Sequence, residues 1–266
     1  MATELRPLST GELVDRAFSL YRTHFALFLG IFALPHLVVF AFQCWGLTLG
    51  TTLTGRLIFF SLEAALLSLV VSAASQAATV IAVSQVHLGR PAGVWDSFSR
   101  VKGEIVGVIG LSLAVGFLVV LACVALIVPG ILLAIRWSLA VPAKVLEGRD
   151  VGGAMSRSSQ LTKGSRGRIF IIWFLIIVLS VGLSFLLRWP IELAAGVKSL
   201  AALQHAPIGY RVAHLVVMFI AQCLVGPLAT IAFSLLYYDE RVRKEAFDLQ
   251  LMMQSLDAPA LGAAQA

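Results

Sequence analysis

The chain of 266 residues is 59% hydrophobic and only 13% charged, with a net charge of +6 and a mean hydropathy of +0.93. A water-soluble domain carries about a quarter charged residues because its surface must face solvent, so a soluble globule is excluded and an all-α polytopic membrane protein is expected. The positive balance does not point to nucleic acid, because the basic residues flank apolar runs and form no long basic tract.

In chain order, Ser9-Thr10-Gly11-Glu12 fits a capping box. It opens a short helix through LVDRAFSLYRTHF, with Leu13, Ala17, Leu20 and Tyr21 at helical spacing. The first apolar run begins near Phe25, is longer than a signal-peptide core and lacks a small-x-small exit, so it reads as a span and not a cleaved leader. Six spans are expected, at about 25–47, 57–86, 105–128, 131–146, 169–188 and 212–238. Each approaches the length that crosses a hydrocarbon core of roughly 30 Å. The second is overlong, which implies tilt, and the fourth is short.

The polar stretches between spans are themselves patterned. PAGVWDSFSRVKGE places Val94, Trp95, Phe98 and Val101 on one helical face. A third short helix runs from Asp150 as N-cap to Gly164 as its stop, with Met155, Ser158 and Leu161 together. Amphipathic helices of this kind lie in the membrane interface with Arg and Lys toward anionic head groups. FSLYRT at 18–23, FSRVKG at 98–103 and SSQLTK at 158–163 each precede a span. They suggest three parallel repeats of one interfacial helix and two spans, or a coincidence of amphipathic patterning. The last helix keeps apolar Val242, Ala246, Phe247 and Leu251 in register beyond an aromatic belt at Tyr237-Tyr238. Residues 1–256 read as one membrane domain and 257–266 as a disordered tail.

Of the 20 Lys and Arg residues, only Arg56, Arg188, Lys198 and Arg211 fall in the second set of alternating connections. Arg136 and Lys144 lie within a span, and the rest share the side of both termini. That bias places both termini in the cytoplasm, in a bacterial inner membrane. Membrane lipids, anionic at the inner leaflet, are the expected partners, with a protein partner or homo-oligomer also open and nucleic acid not expected.

Within the spans, Pro129-Gly130 reads as an outer corner, which puts Arg136 about six residues deep, roughly 9 Å at 1.5 Å per residue. Glu63 sits at a similar depth in the second span. A charge there costs several kcal/mol unless it finds a partner or water, so Glu63 and Arg136 form an expected ion pair. The alternative is that Arg136 reaches outward beside Trp137 while Glu63 is protonated. Lys144 is expected to reach to the inner surface, and Pro142 and Gly226-Pro227 to kink their helices. Gln43, Gln76, Gln85, Gln222 and His36 are interhelical glue or the lining of a polar pathway. Cys44, Cys123 and Cys223 read as small core residues.

No nucleotide-binding glycine loop, zinc-binding H-E-x-x-H or nucleophile elbow is present, and no paired Asp lies within a span. The reading is therefore of a protein that is not an enzyme, with no catalytic, cofactor or metal residues to assign.

The run P-G-x-x-L-x-x-R-W-x-L-x-x-P-x-x-V-L-E-G, from Pro129 to Gly148, is followed by R-S-x-x-L-T-x-G, from Arg157 to Gly164. Together they resemble the membrane domain family named after bacterial glycerophosphoryl diester phosphodiesterases. LVDRAFSLYRTHF and YYDERVRKEAFDL are similar to that family's ends, so the likeness extends over nearly the whole chain. The resemblance implies a six-span architecture. Some members are fused to a soluble phosphodiesterase barrel that performs hydrolysis, and this chain has no room for one, so the family name does not carry an activity to it. The same resemblance directs attention to Glu147 and to Arg157, Ser158, Leu161 and Gly164 as the means of docking the third interfacial helix. Glu147 is expected to pair with Arg149 or Arg157. Two functions remain open: a platform that organises lipids or a partner, and a transporter or channel for a small or lipid-like solute. An enzyme acting on lipid head groups ranks third.

Overall fold

A computed structural model describes residues 8–48, 54–195 and 207–245, with side chains from Phe60 in the second stretch and up to Leu193. The helices are α1 (Thr10–Thr23), α2 (Phe25–Gly46), α3 (Thr54–His87), α4 (Val94–Val101) and α5 (Ile105–Ala125). They are followed by α6 (Ile127–Arg136), α7 (Ala140–Glu147), α8 (Val151–Thr162), α9 (Arg166–Ala195) and α10 (Ile208–Glu245). Among the described residues, six stretches are long and apolar enough to cross a membrane: α2, Phe60–His87 of α3, α5, Ile127–Glu147 spanning α6 and α7, Arg166–Leu193 of α9, and α10. The chain is an all-α polytopic membrane protein. A short helix followed by two long passages occurs three times in succession: α1 with α2 and α3, α4 with α5 and α6–α7, and α8 with α9 and α10.

Local chemistry sets the short helices. Ser9 Oγ accepts from the Glu12 backbone N–H while the Glu12 carboxylate accepts from Ser9 N–H, a complete capping box for α1. Asp150 caps α8 by accepting from Gly153 N–H at 3.2 Å. Gly148 and Gly164 have φ of +63° and +88°, a left-handed conformation that costs glycine little and lets the chain reverse on either side of α8.

α3 and α10 form the centre. α3 packs on α2, α4, α5, α7 and α10, and α10 on α1, α2, α3 and α9. Between helices in lipid, association depends on close packing of small residues rather than on exclusion of water. α3 supplies them, with Ala73, Ser75, Ala77, Ala78, Thr79 and Ala82 all buried. His36 joins α2 to α3, its Nε2 lying 3.3 Å from Ser72 Oγ. Gly226 receives the Phe32 ring so closely that a Cβ would lie 2.7 Å from Phe32 Cδ1. Phe117, Val120, Val124 and Leu186 are exposed on the outer helices, where lipid tails are the matching solvent.

The fourth passage differs from its expected form. The corner after α5 is at Leu126, whose extended backbone (φ −158°, ψ 131°) precedes Pro129 by three residues. Pro129 and Pro142 are each the third residue of their helix, α6 and α7. In a first turn the missing N–H of proline has no helical partner to lose, so Pro142 bends nothing and the break lies at Trp137–Leu139. Gly130 is needed for contact with α5: a Cβ there would lie 2.8 Å from the Cys123 backbone. Pro227 is accommodated inside an unbroken α10. Lys198, Ala246, Phe247, Leu251 and the tail from 257 lie outside the described residues.

Candidate functional site

The break between α6 and α7 leaves backbone groups without helical partners, and in an apolar medium each such group costs several kcal/mol. α8 folds back and supplies the partners. Ser158, fully buried, donates to the Arg136 carbonyl at 2.8 Å and accepts from Leu139 N–H at 3.2 Å. Thr162, one turn on, donates to the same carbonyl at 3.3 Å. The hydroxyls of α8 thus replace the missing helical turn of the fourth passage. We expect Ser158→Ala to lower stability by about 2 kcal/mol, the cost of a buried N–H left unpaired. Thermal unfolding in mild detergent reads this, with Ser156→Ala on the exposed face of α8 as the neutral control.

Charge then fixes α8 to the bundle. Glu147, at the end of α7, accepts from Arg157 Nε at 2.8 Å, from Arg149 Nε and from the Tyr237 hydroxyl of α10. Arg157 continues to Glu245, which also pairs with Arg241 at 3.1 Å. The Glu147 and Arg157 side chains are 11% and 12% exposed. The Arg157 guanidinium is held more basic than usual, chiefly by its hydrogen bond to Glu245 and against the cost of burial. Lys244 closes the C-terminus of α8, its Nζ donating to the carbonyls of Leu161, Lys163 and Gln160.

A second cluster sits at the same end. Asp239 and Glu240, adjacent on α10 and fully buried as side chains, face Arg168 at the start of α9. Asp239 also accepts from Leu8 N–H at 2.6 Å and from Arg243 Nε at 2.8 Å, and Glu240 accepts from Ser165 Oγ at 2.7 Å. The Leu8 carbonyl in turn accepts from Arg168 Nη2 at 2.9 Å and from Arg243. The entry to α1, the start of α9 and the end of α10 are therefore one ionic knot.

Several expected site residues meet here. Glu147 engages both Arg149 and Arg157, Leu161 is buried in the main core, and Gly164 makes the turn into α9. The expected pair of Glu63 and Arg136 is corrected: Glu63 is exposed on α3, and Arg136 Nε donates to Ser159 Oγ at 2.8 Å. Counting depth from Pro129 assumed one continuous helix, whereas α6 stops at Arg136 and delivers the guanidinium to α8. Lys144 also does not reach for solvent: 5% exposed, it donates to the Arg149 carbonyl at 2.9 Å and pairs with Glu104 at 3.1 Å. Sequence reasoning did not single out Arg168, Asp239, Glu240 and Tyr237 as a buried set. The available signal was an Asp-Glu doublet following an apolar stretch without a break.

Two concavities adjoin this framework. A cavity of about 320 Å³ lies among α3, α7, α9 and α10, with Gln76, Ser180, Gln222 and Thr230 in its wall beside Phe32 and Gly226. An open recess of about 600 Å³ lies against α8, where Arg136, Trp137, Lys163 and Arg166 converge.

A family model described as the membrane domain of glycerophosphoryl diester phosphodiesterase matches residues 96–256. The match begins within α4, so the first short-long-long unit precedes it. Neither the curated proteins nor the solved structures give a match.

Proposed function

The chain belongs to the family of membrane domains of glycerophosphoryl diester phosphodiesterase, and from that premise we propose a non-catalytic membrane module. It organises lipids, or a partner protein, at the face that carries α1, α4 and α8. We assign that face to the cytoplasmic side of a bacterial inner membrane, with both termini there, because Lys and Arg concentrate on it.

The observation that carries the reading is the clamp on α8. A helix in the head-group layer that is tied to α7 and α10 through nearly buried ion pairs cannot tilt without stranding charge. It is thereby a fixed platform rather than a loose surface helix. Native mass spectrometry of the purified protein in mild detergent tests this. Anionic phospholipid or a stoichiometric protein partner is expected to remain bound, and a bare monomer carrying neither would overturn the proposal.

Transport is the second reading, favoured by the polar cavity among α3, α7, α9 and α10. Solute flux into proteoliposomes that is lost on changing Gln76 and Gln222 to Leu would favour it over the platform.

A further inference from the structure

We infer that the recess between the end of α6, α8 and the start of α9 is a binding site for a phosphoryl anion, with a phospholipid head group as its natural source. This rests on the platform reading and gives it a specific ligand chemistry. Arg136, Lys163 and Arg166 line the recess with Ser156, Ser159 and Gln160, and no carboxylate is among its lining residues. All three cations are exposed, and no described carboxylate pairs with them. Arg22, Arg90 and Lys102 are likewise exposed with no acidic partner among the described residues, but none of them lines this recess. The cations of the ionic clusters differ. Arg149, Arg157, Arg168, Arg243 and Lys244, which crowd the same end of the bundle, each have an acidic partner. Like charges gathered in one concavity repel, and an anion from outside the chain removes that cost.

The polar geometry selects the kind of anion. Ser159 accepts from Arg136 Nε at 2.8 Å while its own hydroxyl donates to the Met155 carbonyl at 2.8 Å. The serine's one proton is thus committed to Met155 while its oxygen holds the guanidinium, and no described protein acceptor bonds to the two Nη groups of Arg136. A guanidinium fixed in this way offers the paired donors that match two oxygens of one phosphate. Lys163 adds a point charge, and Arg166 a second fork. Trp137 and Met155 form the apolar part of the wall. A Trp beside basic groups suits the boundary between head groups and acyl chains, which distinguishes a lipid-facing site from one for a freely dissolved ion. The volume of about 600 Å³ falls within the ordinary range for a bound small molecule or head group.

The test uses the full chain in mild detergent, titrated with short-chain phosphatidylglycerol, short-chain phosphatidylcholine or inorganic phosphate, and read by native mass spectrometry and thermal shift. Phosphatidylglycerol is expected to bind and phosphatidylcholine to bind at least tenfold more weakly. The triple variant Arg136→Gln/Lys163→Gln/Arg166→Gln is expected to lose phosphatidylglycerol affinity by more than tenfold, since each basic group near an anionic surface contributes roughly fivefold. Arg22→Gln/Arg90→Gln/Lys102→Gln removes the same charge from exposed positions elsewhere and is expected to bind as wild type. Ser156→Glu, on the exposed face of α8, places an anion in the recess and is expected to block binding even if the triple variant folds poorly. Inorganic phosphate that displaces phosphatidylglycerol at equal concentration would assign the site to a free anion and overturn the lipid source. Equal losses in the two triple variants, or undiminished binding in Ser156→Glu, would overturn the recess as the site while leaving the platform intact. No retention of any lipid or partner by the wild-type chain would instead defeat the platform reading.

Discussion

Replacing Glu147 with Ala is expected to lower stability by about 3 kcal/mol, because removing one member of a buried ion pair strands the other. Arg157 would keep Glu245 but lose its partner on α7, and the Tyr237 hydroxyl would lose its acceptor. For a chain of this size the change corresponds to roughly 6–12 °C in the unfolding midpoint, measurable by differential scanning fluorimetry in mild detergent. Tyr237→Phe removes a single hydrogen bond and is expected to cost only about 1 kcal/mol. A midpoint for Glu147→Ala within a degree of wild type would mean that the clamp does not hold α8.

A comparable loss, about 3–5 kcal/mol, is expected for Asp239→Ala, with a different local signature. Asp239 is the acceptor shared by Leu8 N–H, Arg168 and Arg243, so its removal releases the entry to α1 as well as the start of α9. Hydrogen exchange should therefore quicken along α1 while amides of α5 stay protected. Uniform acceleration over the whole chain would contradict a local knot. Glu240, 3.4 Å from Arg168 in the wild-type chain, still offers the guanidinium a carboxylate, so the loss is expected at the lower end of that range.

Most of the architecture was legible because hydrophobic runs of membrane length are an unambiguous signal, and the caps at Ser9 and Asp150 have short-range chemistry. The start of α2 at Phe25 and the extent of α8 follow from such features. The fourth passage was misread at Arg136 because hydropathy does not register a three-residue break whose polar groups are satisfied by another helix. Ser158 was visible as part of a motif, but its bonds to Arg136 and Leu139 cross 22 and 19 residues, beyond any periodicity argument. The ionic knot was hidden for the same reason, since Leu8 and Asp239 lie at opposite ends of the sequence and only the packing of α1 on α10 unites them. The recess was spread over Arg136, read as a charge within a span, and Lys163 and Arg166, which in sequence look like separate topology-setting charges.

The borrowed hydroxyls of α8 have a consequence for how the protein is made. As the ribosome feeds the chain into the membrane, α6 and α7 emerge before the residues that complete them, because Ser158 follows Leu139 by 19 positions. Until Ser158 arrives, the Leu139 N–H has no partner within the nascent segment, so it must stay near water or the polar lining of the insertion machinery. The fourth passage is therefore expected to settle into lipid together with α8, as a unit that runs from the Leu126 corner to Thr162.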